Sequence, residues 1–280
     1  MKDLRIIYIL GLGRSGSTLA TSLLNFHPSI IGVGEINKIL TRGLKSVCSC
    51  GKELWECQFW SSVFKNIEDK LNLSINEIKE LVEAQEIKKH FFNPFKRINK
   101  KYIELNEIFY AEVSKESGSN IIVDSSKNIM RYFSLKKYFN IITVTVVRNP
   151  FGVCWSLLKR HNKSGRVNKI MLYSLLSYTF NNMLIILLSF FNKRMIVFKY
   201  ENTPKVIKSE WFWKKLGLKE DYYPNKEYHI GYGNDLIHNF NPRDYVFKED
   251  KAYKNNLSLK WKVMVYLLTW PVMIIKRYKF

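Results

Sequence analysis

The sequence predicts an α/β fold of three layers, a central parallel sheet covered on both faces by helices. Three observations predict it. Short apolar, largely β-branched runs recur at 6–10, 30–34, 120–124, 141–147 and 195–199, with helical stretches between them. Strands that alternate with helices build a parallel sheet buried on both sides. The first run passes through a glycine-rich loop, Gly11 to Gly16, into a helix from Ser17, the arrangement that places backbone N–H groups and a helix N-terminus around an anion. Residues 61–117 carry charge and helical periodicity, with Ile67, Leu71, Ile75, Ile78, Leu81 and Val82 near one face, and read as a helical insertion after the second strand. The 280 residues are read as one domain with that insertion.

The elements follow in order. Ile6 to Leu10 is the first strand, and Thr18 to Phe26 is a helix closed by His27-Pro28, because proline disfavours helix in the residue before it. The spacing Gly11-x4-Gly16 is that of a nucleotide P-loop, which makes the fold P-loop-like, but Ser17 stands where such a loop carries lysine. The cation is Arg14, inside the loop. Ile30 to Gly34 is the second strand, and Glu35 follows at its carboxyl end, where open parallel sheets bind ligands. A carboxylate there suits a general base on an acceptor hydroxyl, or a charge at the start of the next helix. Asn120 to Asp124 is the third strand, with Asp124-Ser-Ser-Lys127 at its end. Lys127 suits neutralisation of a leaving group; a solvated lysine beside a Ser125 or Ser126 helix cap is the other reading. Ile141 to Val147 is the fourth strand, followed by Arg148-Asn-Pro150 and a helix in which Ser156 lies two turns on. Arginine offers a planar fork for a phosphate and serine one hydroxyl. Met195 to Lys199 is the fifth strand, followed by Tyr200-Glu-Asn202.

Composition narrows the partners. The chain is 46% hydrophobic and 15% aromatic, which excludes global disorder, and its net charge is +21, which suits anionic partners. No basic run is long enough for a nucleic-acid tail, so nucleic acid is not expected. Lys2 and Asp3 lead directly into the first strand without a signal-peptide pattern, and a cytoplasmic location, including the inner face of the membrane, is the expectation. Residues 170–192 lack charge but contain Asn181 and Asn182, and are expected to form a buried helix on the sheet. The stretch from Trp261 to Phe280 is aromatic with flanking Lys260, Lys262, Lys276, Arg277 and Lys279. It is expected to pack on the domain, with Pro271 interrupting its helix, and it also suits contact with an acidic membrane surface. Four cysteines do not make a disulfide framework at this length. Cys48, Cys50 and Cys57 could ligate zinc, but neither a fourth ligand nor a C-x-x-C knuckle stands nearby. Free thiols in a packed loop are expected there, and no metal.

Arg14-Ser-Gly-Ser-Thr18 after a first strand resembles the 5′-phosphosulfate loop of sulfotransferases, which use 3′-phosphoadenosine 5′-phosphosulfate (PAPS). Arg148-Asn-Pro with Ser156 resembles the 3′-phosphate signature of the same family, and Cys48-x-Cys-Gly with Cys57-x-Phe-Trp60 and Asp124-Ser-Ser-Lys127 resemble bacterial members. The likeness extends over nearly the whole chain, though Asn202 replaces an aspartate found in many members. It implies that Gly13, Arg14, Ser15, Gly16, Ser17 and Thr18 hold the 5′-phosphosulfate and that Arg148 and Ser156 hold the 3′-phosphate. It further implies a Glu35 base, with Arg14 and Lys127 stabilising the leaving group, no catalytic metal, and a hydroxyl acceptor, carbohydrate or glycolipid. A loop after His229 is implied to close over the nucleotide with His229, His238 or Arg243. The competing reading is a nucleotide kinase or NTPase with a degenerate P-loop, for which Asp124 is the nearest magnesium ligand. A third is a non-catalytic module for membranes or acidic polymers.

Overall fold

The computed structural model describes residues 4–42, 45–86, 98–161, 164–221, 228–233, 247 and 249–278. The element order is β1 (Arg5–Leu10), α1 (Ser17–Leu24), β2 (Ile30–Gly34), α2 (Ile36–Arg42), α3 (Gln58–Leu71), α4 (Ile75–Glu86), α5 (Lys100–Ser117), β3 (Ile121–Lys127), α6 (Ile129–Leu135), β4 (Asn140–Val147), α7 (Pro150–His161), α8 (Val167–Phe191), β5 (Met195–Lys199), α9 (Thr203–Ile207), α10 (Glu210–Leu216), α11 (Tyr253–Asn256) and α12 (Leu259–Ile275). A 3-10 turn over Tyr200–Asn202 joins β5 to α9.

The five strands form one sheet in the order β2-β3-β1-β4-β5, and every pairing is parallel. Alternation along β1 explains the three layers. Ile6, Tyr8 and Leu10 enter one core with side chains of α2, α3, α5 and α6, whereas Ile7 and Ile9 enter the other with Ala20 and Leu24 of α1 and Phe212, Trp213 and Leu216 of α10. From β1 the chain goes to β2 on one side and later to β4 on the other. The carboxyl ends of β1 and β4 therefore border the crevice where ligands of such sheets bind.

A buried polar cluster ties the helical insertion to the sheet. Arg131 Nε donates to Asp124 Oδ2 at 2.9 Å and its Nη1 to Glu86 Oε1 at 3.0 Å, while Tyr102 and Tyr110 hydroxyls donate to Glu86 and Asp124 at 2.8 Å each. Burial pushes the Glu86 carboxyl above its ordinary range, opposed by the Arg131 charge and the Tyr102 hydroxyl. Among the described residues Asn128, not Ser125 or Ser126, caps α6 by accepting from the Met130 and Arg131 N–H groups. Asp124 recruits Ser126 instead, whose N–H donates to Asp124 Oδ1 at 2.9 Å.

Two helices differ from the sequence expectation. Pro271 does not interrupt α12, which runs through it to Ile275. Packing on α8 holds this helix together there, and the Thr179 hydroxyl donates to the Leu268 carbonyl at 2.6 Å, one turn before the proline. Helix α8 is buried on the sheet only in part, through Tyr178 and Ile185 at the edge formed by β4 and β5. It buries Met171, Leu175, Tyr178, Asn182, Ile185 and Ile186, chiefly against α12 and α7, and leaves Tyr173, Phe180, Phe190 and Phe191 exposed. Among the described residues it is the one helix long and apolar enough to cross a membrane. Lys279 and Phe280 lie outside the described residues.

Candidate functional site

At the carboxyl edge of β1, β2, β3 and β4 opens a cleft of about 1660 Å³. The loop after β1 forms its floor. Gly16 has φ 96, a left-handed conformation that favours glycine, and a Cβ there would lie 2.2 Å from the Tyr200 ring. No acidic side chain occupies the first turn of α1, so its N–H groups, which have no partner within a helix, keep their positive potential. Gly13 meets nothing within 4 Å of a Cβ position, which leaves the backbone open to a ligand. Gly13, Arg14, Gly16, Ser17 and Thr18 all line the cleft. Ser15 does not: it is buried, and both its N–H and its hydroxyl bond the Leu12 carbonyl, so it shapes the loop.

The second phosphate motif closes on the first. Arg14 Nε donates to Ser156 Oγ at 2.7 Å, and Arg148 Nη1 donates to the Arg14 carbonyl at 3.2 Å. The guanidinium of Arg148 lies 4.6 Å from the Tyr200 ring centroid, and the Arg148 carbonyl accepts from the Tyr178 hydroxyl at 2.7 Å. Burial is the larger influence on the Tyr200 phenol and raises it, with the Arg148 charge opposing. The 3-10 turn that carries Tyr200 is held by Glu201, which accepts from the Asn149 N–H at 2.9 Å and from the Tyr278 hydroxyl at 3.2 Å.

On the opposite wall Lys127 Nζ meets Glu35 Oε1 at 2.6 Å, with both side chains mostly shielded (13% and 17% exposed) and both lining the cleft. Lys127 is thus paired rather than simply solvated, and its φ of 60 is one no β-branched residue would accept easily. Glu35 caps α2 through its carbonyl, which accepts from Lys38 and Ile39, and leaves its carboxylate to the cleft. Its own N–H donates to the Tyr232 carbonyl at 3.0 Å.

Sequence reasoning missed much of the lining. Lys38 and Arg42 of α2 and Lys159 and Arg160 of α7 join Arg14, Lys127 and Arg148, so seven basic side chains face one carboxylate, Glu35, among the described residues. Tyr173, Leu176 and Phe180 of α8 and Tyr232 add an apolar wall. Helical spacing marks none of these as functional, since each also reads as solvated surface or core. Asp124 is absent from the lining: it is fully buried, with Oδ1 taken by Ser126 and Oδ2 by Tyr110 and Arg131. His229 is also absent from the lining and turns toward Cys48 and Cys57 instead, while His238 and Arg243 lie outside the described residues.

No protein-family model and no curated protein matches the chain. Among solved structures the chain is similar to the crystal structure of sulfotransferase STF9 from Mycobacterium avium, at 8% sequence identity and a TM-score of 0.48. The likeness covers 78% of this chain and 65% of that one.

Proposed function

We propose that the chain is a sulfotransferase that moves a sulfuryl group from PAPS to a hydroxyl of a carbohydrate or glycolipid. The observation that carries this reading is the junction of Arg14, Ser156 and Arg148, which brings the two anion motifs to one side of the cleft. A donor with phosphates at both its 5′ and 3′ ends requires two such anchors. Other features of the site fit it: the open backbone at Gly13, the acid-free first turn of α1 and the excess of basic side chains in the lining.

When bound, the donor supplies a sulfuryl group activated by a phosphate leaving group. The first-turn N–H groups of α1, the Ser17 and Thr18 hydroxyls and Arg14 would hold its 5′ end, and Arg148 and Ser156 its 3′-phosphate. Arg14, bonded to Ser156, couples the two anchors. Glu35 would take the proton of the acceptor hydroxyl, and Lys127, paired with that carboxylate, would hold it in position and add positive charge for the developing negative charge of the leaving group. The aromatic wall of Tyr173, Phe180 and Tyr232 offers faces for a sugar or a lipid-linked sugar.

The kinase reading loses its support at Asp124, whose oxygens are spent on Ser126, Tyr110 and Arg131, and at Ser17, which replaces the phosphate-binding lysine. Membrane contact belongs to the proposal as well. Leu267, Trp270 and Ile274 of α12 are exposed and Lys276 and Arg277 follow them, a combination that suits an acidic lipid surface at the cytoplasmic face. The test of the function is incubation with PAPS and a panel of glycosides and glycolipids. Acceptor-dependent release of 3′,5′-diphosphoadenosine is expected, and Mg-ATP hydrolysis without such release contradicts the reading.

A further inference from the structure

Beside the cleft, and outside its lining, three thiols and one imidazole converge. Cys48 and Cys50 sit in a tight hairpin in which Val47 pairs with Glu53 and the Cys48 N–H donates to the Lys52 carbonyl at 2.8 Å. Cys57 stands at the N-cap of α3. His229 arrives from 172 residues further along the chain. The four ligand atoms all lie within 4.8 Å of one another. Sγ of Cys57 is 3.8 Å from Sγ of Cys48, and Nδ1 of His229 is 3.7 Å from the Cys48 sulfur and 3.4 Å from that of Cys57. A zinc tetrahedron with Zn–S of about 2.3 Å and Zn–N of about 2.0–2.1 Å has ligand-to-ligand edges of about 3.5–3.8 Å. The three separations among Cys48, Cys57 and His229 have that size, and the Cys50 sulfur lies within 4.8 Å of each of these atoms. The Cys48–Cys57 separation is far too long for a disulfide, whose sulfurs lie about 2.05 Å apart.

From these distances we propose that Cys48, Cys50, Cys57 and His229 bind a structural zinc ion. Four protein ligands make a closed site, the arrangement of structural rather than catalytic zinc. The surroundings aim the ligands. The His229 ring stacks on Phe59 at 4.9 Å with an interplanar angle of 7°, and its carbonyl accepts from Trp60 Nε1 at 3.1 Å. Ser49 lashes the hairpin to the His229 strand: its hydroxyl donates to the Tyr228 carbonyl and accepts from the Ile230 N–H, both at 2.9 Å. Binding the ion releases the thiol protons to solvent and leaves three thiolates and a neutral imidazole around it. The ion joins two distant parts of the chain, and the second reaches the cleft. Gly231 N–H donates to the Val33 carbonyl at 2.9 Å, Tyr232 O holds the Glu35 N–H at 3.0 Å, and Tyr232 and Gly233 line the cleft. The zinc thus braces the wall behind Glu35, whatever reaction the cleft performs.

Elemental analysis of the full chain, expressed with zinc and purified without chelator, tests this. One zinc ion per chain is expected, together with slow reaction of Cys50, the one exposed thiol of the four, toward a thiol reagent until a chelator is added. Cobalt exchange is expected to give the intense visible bands of a tetrahedral cobalt thiolate. His229→Ala and Cys50→Ser should each lose the stoichiometric zinc, and Cys154→Ala, remote from the cluster, should keep it. Zinc-free protein from that preparation, or zinc retained in both ligand variants, would overturn the proposal. Because metal content and the cobalt spectrum are read on the wild-type chain, a variant that fails to fold does not rescue it.

Discussion

At the scale of single residues, two side chains, Arg148 and Glu35, and one backbone position, Gly16, shape the proposed chemistry of the cleft. Arg148 meets both the Arg14 carbonyl and the Tyr200 ring, and is proposed to bind the 3′-phosphate. Arg148→Ala is expected to weaken 3′,5′-diphosphoadenosine binding about tenfold to a hundredfold, the scale of one or two charge-assisted hydrogen bonds, and AMP binding far less. Titration calorimetry with both ligands reads the difference. Glu35→Gln keeps the shape of the pair with Lys127 but removes the base. Turnover is expected to fall about 10²–10⁴-fold with donor affinity retained, and turnover within a few-fold of wild type would reduce Glu35 to a structural role. Gly16→Ala asks a side chain to adopt φ 96 and to displace the Tyr200 ring. A loss of about 1–3 kcal/mol in urea unfolding is expected, together with weakened donor binding. Arg14, Gly16 and Arg148 were legible in the sequence because a loop and a strand end are local. The Glu35–Lys127 pair was not, since its members lie 92 residues apart and only the parallel alignment of β2 and β3 brings their carboxyl ends together.

Among the elements, the strands were the most legible: β2 and β5 match the apolar runs residue for residue, and β1 and β4 extend theirs by one residue. The third run continues further, because Asp124, Ser125 and Ser126 remain buried in β3 instead of leaving the sheet. Polar residues in a strand are hard to foresee when their partners, Arg131 and Tyr110, come from helices elsewhere. That cluster carries its own prediction. Arg131→Leu leaves Asp124 and Glu86 buried without their counter-charge, and a loss of about 3–5 kcal/mol is expected in urea unfolding. A loss under about 1 kcal/mol would mean the cluster is replaceable by apolar packing. Helices were less legible than strands. Pro271 reads as a break in sequence, yet packing on α8 carries α12 through it. Composition alone assigned α8 to the interior, whereas its outer face depends on the helices beside it.

For the whole molecule, the net charge of +21 and the apolar outer faces of α8 and α12 bear on where it works. Vesicles containing phosphatidylglycerol are expected to retain the protein at low salt and release it as salt rises, and Trp270→Glu is expected to weaken retention. Equal binding to neutral vesicles would remove the charge component. Fold class was readable from the order of elements, and the place of the glycine loop at the cleft from the first motif. The breadth of the basic lining was not, because Lys38, Arg42, Lys159 and Arg160 come from two helices that only the assembled fold turns toward one cleft. The central claim is that this cleft recognises a nucleotide by phosphates at both its 5′ and 3′ positions. A thermal melt with 3′,5′-diphosphoadenosine, beside AMP and Mg-ATP, tests it most directly. At about 100 times its dissociation constant a ligand adds about 2.7 kcal/mol, a rise of about 5–10 °C for a chain of this size. That rise with the diphosphate alone is the predicted result; a rise with Mg-ATP and none with the diphosphate would contradict the account.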